Sequence, residues 1–275
     1  IINADSMQVY KEFSILSSRP SNLDIKKVKH HLYGFQPAKK HFSTGVWLKL
    51  VKKQINLCLK NKKIPILVGG TGLYFEAITK GISKIPNISF KARDEIRELQ
   101  KKLGQKKFYE KLLKLDPLIK NKIEPFDVQR SVRAYEVKKF TKKSIFKWFK
   151  YTKSEFKQFQ IFKIFIATPR ENLLKNISNR VNKMFKSDCV KEVKLFLKLN
   201  VEPSLSANKI IGVREIKNFL LGVLSLKQAK ELINIKTRQY AKRQVTWARG
   251  HMSDWDKQYS NSFSSLSKKI LKATS

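Results

Sequence analysis

Cysteine is almost missing from this 275-residue chain, which has only Cys58 and Cys189, far apart and outside any paired spacing. That excludes a disulfide framework and a zinc finger or ribbon. It fits a reducing, cytoplasmic setting in which both thiols behave as buried apolar side chains. Long hydrophobic runs are missing too. No stretch nears the roughly 20 apolar residues of a membrane helix, and no membrane is expected as a partner. The chain opens "IINADSMQVY", without methionine, so its beginning says nothing about a leader. Acidic residues are scarce, 21 against 59 Lys and Arg, for a net charge of +38. A field of that sign draws polyanions and speeds their encounter without bearing on fold. Nucleic acid therefore leads among partners, ahead of an anionic membrane surface. A lysine-rich proteome in which basicity means little is the bland alternative. Arginine is scarce within the basic set, 11 of 59; where it does occur, planar bidentate binding is a better reading than bulk charge.

Apolar residues make up 41% of the chain, enough for a real core. Ile1–Asp5 reads as a short buried strand, and "KIPILVGG" (Lys63–Gly70) as a second that ends in turn glycines. Between them, "TGVWLKLVKKQINLCLKN" has helical spacing, with Val46, Leu50, Ile55 and Leu57 as the expected inward face and lysines opposite. Strand, helix and strand joined by tight turns predict a parallel sheet of the α/β kind. "FKIFIATPR" (Phe162–Arg170) reads as a third strand, with a helix after it to about Lys186. From Lys91 to Lys157 the pattern is helical and basic, and residues 210–250 are helical again. The expected organisation is 1–90 as the first part of an α/β core, 91–157 as a basic helical insertion, and 158–275 as the completion of the core with C-terminal basic helices.

The stretch "VGGTGLY" (Val68–Tyr74) closes a strand with glycines and a hydroxyl, a turn through which backbone amides and Thr71 can approach an anion. "ADSMQVY" follows the neighbouring strand. Ligands of open α/β sheets bind beyond the carboxyl ends of the strands, where Asp5 and Thr71 both fall.

Six segments in order, "ADSMQVY", "HHLYGF", "PILVGGTGLYF", "DVQRSVRAYEV", "IIGVREI" and "TRQYAKRQVTW", resemble the tRNA dimethylallyltransferase (isopentenyltransferase) family from Ile1 to about Trp255. The resemblance implies a P-loop-kinase-like parallel-sheet core with a helical insertion. It also implies transfer of a dimethylallyl group from dimethylallyl diphosphate to the exocyclic amine of the adenosine 3′ of the tRNA anticodon. A departure accompanies it. The family's first strand and G-x-x-x-x-G-K-[ST] loop have no counterpart here, so Ile1 is expected to begin the second strand. The chain is then expected to bind dimethylallyl diphosphate weakly, to lack activity, and to expose a sheet edge that favours aggregation. Magnesium, which the resemblance implies, would be held by the diphosphate and that loop, since no carboxylate or histidine pair has metal-ligand spacing. A monomer is expected.

Roles follow from the resemblance. A neutral aryl amine is a poor nucleophile, and a carboxylate that takes its proton is the economical remedy; Asp5 resembles the family's base, with a helix N-cap as the plain alternative. Ser6, Met7 and Gln8 continue the segment that meets the target nucleotide. Thr71 matches the hydroxyl near the leaving diphosphate, whose developing charge is the largest thing to stabilise. Arg93 matches an arginine that approaches tRNA. Lys209, where arginine is more usual, and Arg214 flank the reaction channel. Gln129, Arg130, Ser131, Val132 and Arg133 begin a helix with Asp127 as its expected cap. Arg238, Gln239, Lys242 and Arg243 lie in the second basic cluster, where Arg238, Lys242 and Arg249 share a narrow arc while Tyr240 and Trp247 point the other way, into the core. In Lys138–Phe159 the aromatics are expected to pack the inserted helices; stacking on unpaired bases and a membrane-surface helix are the alternatives. His30 and His31 match a histidine pair without an evident mechanism. Two rival functions remain: a non-catalytic tRNA- or RNA-binding remnant of the family, and a small-molecule or nucleotide kinase, which would leave "QRSVR" and "TRQYAKRQ" unexplained.

Overall fold

The computed structural model describes residues 1–259 together with Ser264, Ser267, Lys268, Ile270 and Leu271. In chain order the elements are β1 (Ile2–Asn3), α1 (Asn22–Lys27), α2 (Thr44–Lys60), β2 (Leu67–Val68), α3 (Gly72–Thr79), α4 (Phe90–Leu115), α5 (Val128–Thr141), α6 (Ile145–Phe149), β3 (Ile164–Ala167), α7 (Arg170–Lys186), α8 (Cys189–Lys198), α9 (Val213–Leu220), α10 (Leu226–His251) and β4 (Asp256–Tyr259). They form two compact units, one from residues 1–77 and 159 onward, the other from Ile78–Gln158.

In the first unit β1 and β2 pair in parallel, Ile2 opposite Leu67 and Asn3 opposite Val68. The other edge of β1 is taken by the chain at His31, whose N–H donates to Ile1 O (2.9 Å) while Asn3 N–H donates to its carbonyl (3.0 Å). The second histidine thus serves the sheet through its backbone. Ile2, Asn3 and Ala4 are all buried, as expected of a parallel strand covered on both faces. The buried Asn3 amide is satisfied, donating to Asp5 O (3.0 Å) and Leu32 O (2.9 Å) and accepting from Asp5 N (2.8 Å). Among the described residues no strand pairs with the outer edge of β2, and Ile64, Ile66 and Val68 along it stay exposed.

Helix α2 starts at Ser43, whose hydroxyl accepts from Val46 N (3.3 Å). Its inward face is Trp47, Val51 and Ile55, whereas Val46 and Leu57 are 45% and 48% exposed. Of the face expected, Ile55 does point inward and Leu50 is half-buried, while Trp47 turns the helix so that Val46 and Leu57 lie outside. The Trp47 ring stacks on Tyr74 (3.9 Å between centroids), and its Nε1 donates to Asn3 O (2.9 Å).

Strand β3 forms where expected but does not extend the β1–β2 sheet. It pairs in parallel with β4, Ile164 opposite Asp256 through Ala167 opposite Tyr259. "DKQY" carries no apolar alternation, so β4 is not legible in the sequence. Between β3 and β4, α7 to α10 enclose a core around Val181, Val193, Phe196, Ile216 and Ile233, with Val9, Phe13 and Leu16 from the segment after β1. That segment is tied to α8 by Glu192, whose carboxylate accepts from Ser14 N (2.6 Å), Ile15 N (2.8 Å) and Leu16 N (2.9 Å). Cys189 is buried and burial pushes its thiol up to about 11, while Cys58 is only half-buried.

The second unit is helical. Gly104 (φ 70°, ψ 164°) breaks α4, and α4 packs on α5 around Ile96, Phe108, Leu112, Val132 and Val137. Asp127 caps α5, accepting from Arg130 N (2.9 Å). The Lys138–Phe159 stretch is not one amphipathic helix, because Lys142 turns left-handed (φ 58°) and α6 is a separate short piece. Phe146 and Trp148 pack against the unit's core, whereas Phe149 and Tyr151 stay exposed. No helix among the described residues is long and apolar enough to cross a membrane.

Candidate active site at the ends of the parallel strands

Asp5 leaves β1 and turns directly into a bend. Its Oδ1 accepts from Met7 N (2.7 Å) and Gln8 N (3.4 Å). The carboxylate therefore caps a turn, not a helix. Burial raises its pKa above the usual carboxylate range, opposed by those two N–H groups and by the charge of Arg180. A buried carboxylate held by backbone donors on one oxygen keeps the other for a substrate proton.

Around it stand groups that sequence reasoning does not assign. Tyr33 is pushed up to about 12, by burial first and the Asp5 charge second. Tyr74 and Tyr240 are also raised, with burial the main cause and Asp5 contributing to both. Tyr240, half-buried on α10, feels the Asp5 charge. Arg180, on α7, is exposed as a residue, yet its guanidinium turns inward, donating to Leu16 O (3.0 Å), and its pKa is lowered by burial and raised by Asp5. One signal was available: an arginine facing a helix's buried side, in a chain that prefers lysine.

Thr71 lies at the end of β2, as expected. Its hydroxyl accepts from Ser6 N (2.9 Å) and donates to Ser6 Oγ (3.2 Å), which joins the two strand ends. The glycines beside it are occupied by protein. A Cβ at Gly69 would collide with the Ala4 carbonyl, one at Gly70 with the Gln244 amide, and one at Gly72 with the Trp247 ring. Thr71 N donates to Ala4 O (3.1 Å), and Gly70 O accepts from Gln244 Nε2 (2.9 Å). The close approach that these glycines permit is used for packing β1 and α10, in place of the anion cradle expected.

The other candidates separate by burial. Met7 packs against the core of its unit. The Gln8 amide is committed to Ser17 O and Ser18 O (3.0 Å each). Lys209 and Arg214 are exposed; between them Gly212 (φ 108°) donates its N–H to Glu215 (2.9 Å), which also receives Lys236, so the glycine and glutamate of "IIGVREI" hold the turn. Arg238, Gln239, Lys242 and Arg243 are all exposed along α10. In the helical unit, Arg93 keeps a buried Nε without a partner. Arg130 pairs with Asp127 (2.8 Å) and Arg133 with Glu136 (3.1 Å), leaving Gln129 open to solvent. Ser131 and Val132 are buried in that unit's core and so present no surface to a ligand, contrary to expectation; periodicity alone does not fix a helix's rotation. Among the described residues no group of three or more His, Cys, Asp or Glu side chains could hold a metal ion.

Residues 8–251 match the family model described as IPP transferase. The chain is 53% identical over 257 residues, covering 94% of its length and 82% of its relative's, to the tRNA dimethylallyltransferase of Pelagibacter ubique. In structure it is similar to the tRNA isopentenylpyrophosphate transferase of Staphylococcus epidermidis, at a TM-score of 0.66 and 26% identity over 99% of this chain and 90% of that one. A eukaryotic dimethylallyltransferase acting on tRNA shares the fold at a TM-score of 0.79 and 23% identity, over 96% of this chain and 68% of its own.

Proposed function

The chain belongs to the IPP transferase family, and on that premise we propose that it is a prenyltransferase that moves a dimethylallyl group from dimethylallyl diphosphate to the exocyclic amine of the adenosine on the 3′ side of the tRNA anticodon. The observation that carries the proposal is the Asp5 carboxylate, with one oxygen held by the Met7 and Gln8 amides, beside the Thr71 hydroxyl. In the reaction the amine nitrogen bonds to C1 of the dimethylallyl group. The C1–O bond breaks with its electron pair leaving on diphosphate, and the nitrogen's proton passes to Asp5. A base whose pKa lies above the ordinary carboxylate range is better matched to that transfer than a solvated one. Thr71 and Arg180 face the charge that develops on the leaving group, and stabilising that charge contributes most to lowering the barrier of such a step. Lys209 and Arg214 line the diphosphate channel, and Ser6 and Met7 border the target base.

The tRNA is held by its phosphates through Arg93, Gln129, Arg130 and Arg133 in one unit and Arg238, Gln239, Lys242 and Arg243 in the other; such contacts position without specifying sequence. Residues 1–90 and 158–275 supply the chemistry and, through α10, part of the RNA grip, and 91–157 supply the rest of that grip. Magnesium belongs to this reading as a companion of the diphosphate, not as a ligand of these side chains, and no step is assigned to it. A monomer acting in the cytoplasm completes it.

The test is transfer of labelled dimethylallyl to an anticodon stem-loop by a chain that also carries the family's phosphate loop. Asp5→Ala should abolish transfer with RNA affinity unchanged to within a few-fold; retained activity sinks the base assignment. A stem-loop whose target purine lacks the amine should accept nothing. The second reading, an RNA-binding protein without catalysis, is favoured by the glycine turn being filled with protein groups. RNA binding without transfer in the loop-bearing chain would select it.

A further inference from the structure

Phe126 is the most exposed of the large apolar side chains among the described residues, with 86% of its surface open to water. It stands directly before α5, in the loop that leads to Asp127, Gln129 and Arg130. A loop free to move would fold such a ring against the nearest apolar surface, because burying a phenyl group is favourable. This loop is not free. Gly104 breaks α4, and Gln105 just after it turns its amide to the loop, donating to Pro125 O (2.6 Å) and Ser131 Oγ (3.3 Å). The Tyr109 hydroxyl donates to Ile123 O (2.8 Å), and Ile123 itself is buried in the unit's core. Asp127 N donates to Glu124 O (2.9 Å), Val128 N donates to Phe126 O (3.0 Å), and the Asp127 carboxylate caps the helix. The backbone on both sides of Phe126 is tied down, and the ring is held outward.

A fixed, exposed ring asks for a flat apolar partner, and its surroundings narrow the choice. Gln129 is open to solvent, and the Arg130 side chain is 74% exposed although it pairs with Asp127. Glu124 is exposed on the other side, and Pro125 and Val128 are the apolar neighbours in the chain. A protein partner wants a contiguous apolar patch of several hundred Å², which one ring between polar side chains does not supply. A nucleobase needs one ring face for stacking and polar groups near its edge. Charge points the same way. Ile78–Gln158 carries 23 Lys and Arg against nine Asp and Glu, a balance that draws polyanions.

We propose that Phe126 is a stacking platform for one unpaired base of a bound RNA. The proposal rests on the reading of RNA as the partner, and it adds a contact through a base's face to the phosphate contacts assigned to Gln129, Arg130 and Arg133. Every base has a π face, so Phe126 favours an unpaired loop over a duplex without selecting a sequence. The ring is positioned before the RNA arrives, so little ordering entropy is lost on binding.

The experiment measures binding of an anticodon stem-loop, and of the blunt duplex of its stem alone, to the whole chain at several salt concentrations. Phe126→Ala should weaken the stem-loop on the order of tenfold and leave the duplex unchanged. The salt slope should stay the same, because no phosphate contact is lost. Phe126→Trp should bind at least as tightly as wild type, whereas Phe126→Leu, apolar but without a π face, should resemble Phe126→Ala. 5-Iodouridine in the loop should crosslink to Phe126 under ultraviolet light, and 5-iodouridine in the stem should not; mass spectrometry locates the adduct. If a variant fails to fold, the crosslink on the wild-type chain decides. Stem-loop binding that Phe126→Ala leaves unchanged, with crosslinks elsewhere, overturns the proposal and leaves the tRNA reading standing. Absence of RNA binding removes both. Full affinity in Phe126→Leu would mean apolar contact in place of stacking and overturns the platform. A wild-type dimer that Phe126→Ala dissociates, with RNA affinity unmoved, overturns it by giving the ring to a second copy.

Discussion

In the role proposed for it Asp5 must be both buried and charged, and the two demands oppose each other in stability. Its carboxyl is raised by burial, so the folded state holds the proton to higher pH than the unfolded chain does. The stability this contributes is complete below the unfolded carboxylate value and is lost as pH rises through the folded one. Asp5→Asn keeps an acceptor oxygen for Met7 and Gln8 but cannot ionise. It should melt no lower than wild type at neutral pH, by an advantage that disappears on acidification, while the transfer rate of the loop-bearing chain drops about 10²–10⁴-fold. Arg180 lowers the Asp5 pKa, so Arg180→Ala should move the acid limb of the rate profile to higher pH; an unmoved limb would show that the two do not interact in the working enzyme. At this scale the sequence was informative about position, since Asp5 and Thr71 follow the ends of two paired strands as their motifs suggested. It was silent on Tyr33, in the loop after α1, and on Arg180, on α7, and it read Tyr240 as a core residue of α10; all three feel the Asp5 charge.

Elements were legible where periodicity is strong and ambiguous where a single side chain decides. Helix α2 forms where its spacing says, yet Trp47 and not Val46 chooses its face, because one indole donor must reach Asn3 O. The capping of α5 by Asp127 was readable from local chemistry alone. Strand β4 was not, since its pairing with β3 depends on four intervening helices and not on its own residues. Glu192 shows how elements are secured once formed. Its carboxylate holds the N–H groups of Ser14, Ile15 and Leu16, and so fastens the segment after Asp5 to α8. Glu192→Ala leaves three donors to find water and should cost on the order of 2 kcal/mol, seen as a lower denaturation midpoint. Glu192→Gln should recover only part of that loss, because its amide end cannot accept.

For the molecule as a whole, the net charge of +38 pointed to a polyanion before any fold was known, and the basic residues proved to be spread over both units. Ile64, Ile66 and Val68 lie exposed in and just before β2, with which no strand but β1 pairs among the described residues. The chain leaves its first unit after Ala77 and re-enters at Phe159, and the segment between has an apolar core of its own. Thermodynamically it is a cassette tethered at both ends. Cooperativity need not extend across such a junction, so calorimetry should resolve two heat-absorption peaks where a single-domain protein gives one. Residues 78–158 expressed alone should reproduce one of them, and substitutions at Glu192 should move only the other. The two peaks would then let damage to the unit that carries Asp5 be measured without disturbing Ile78–Gln158.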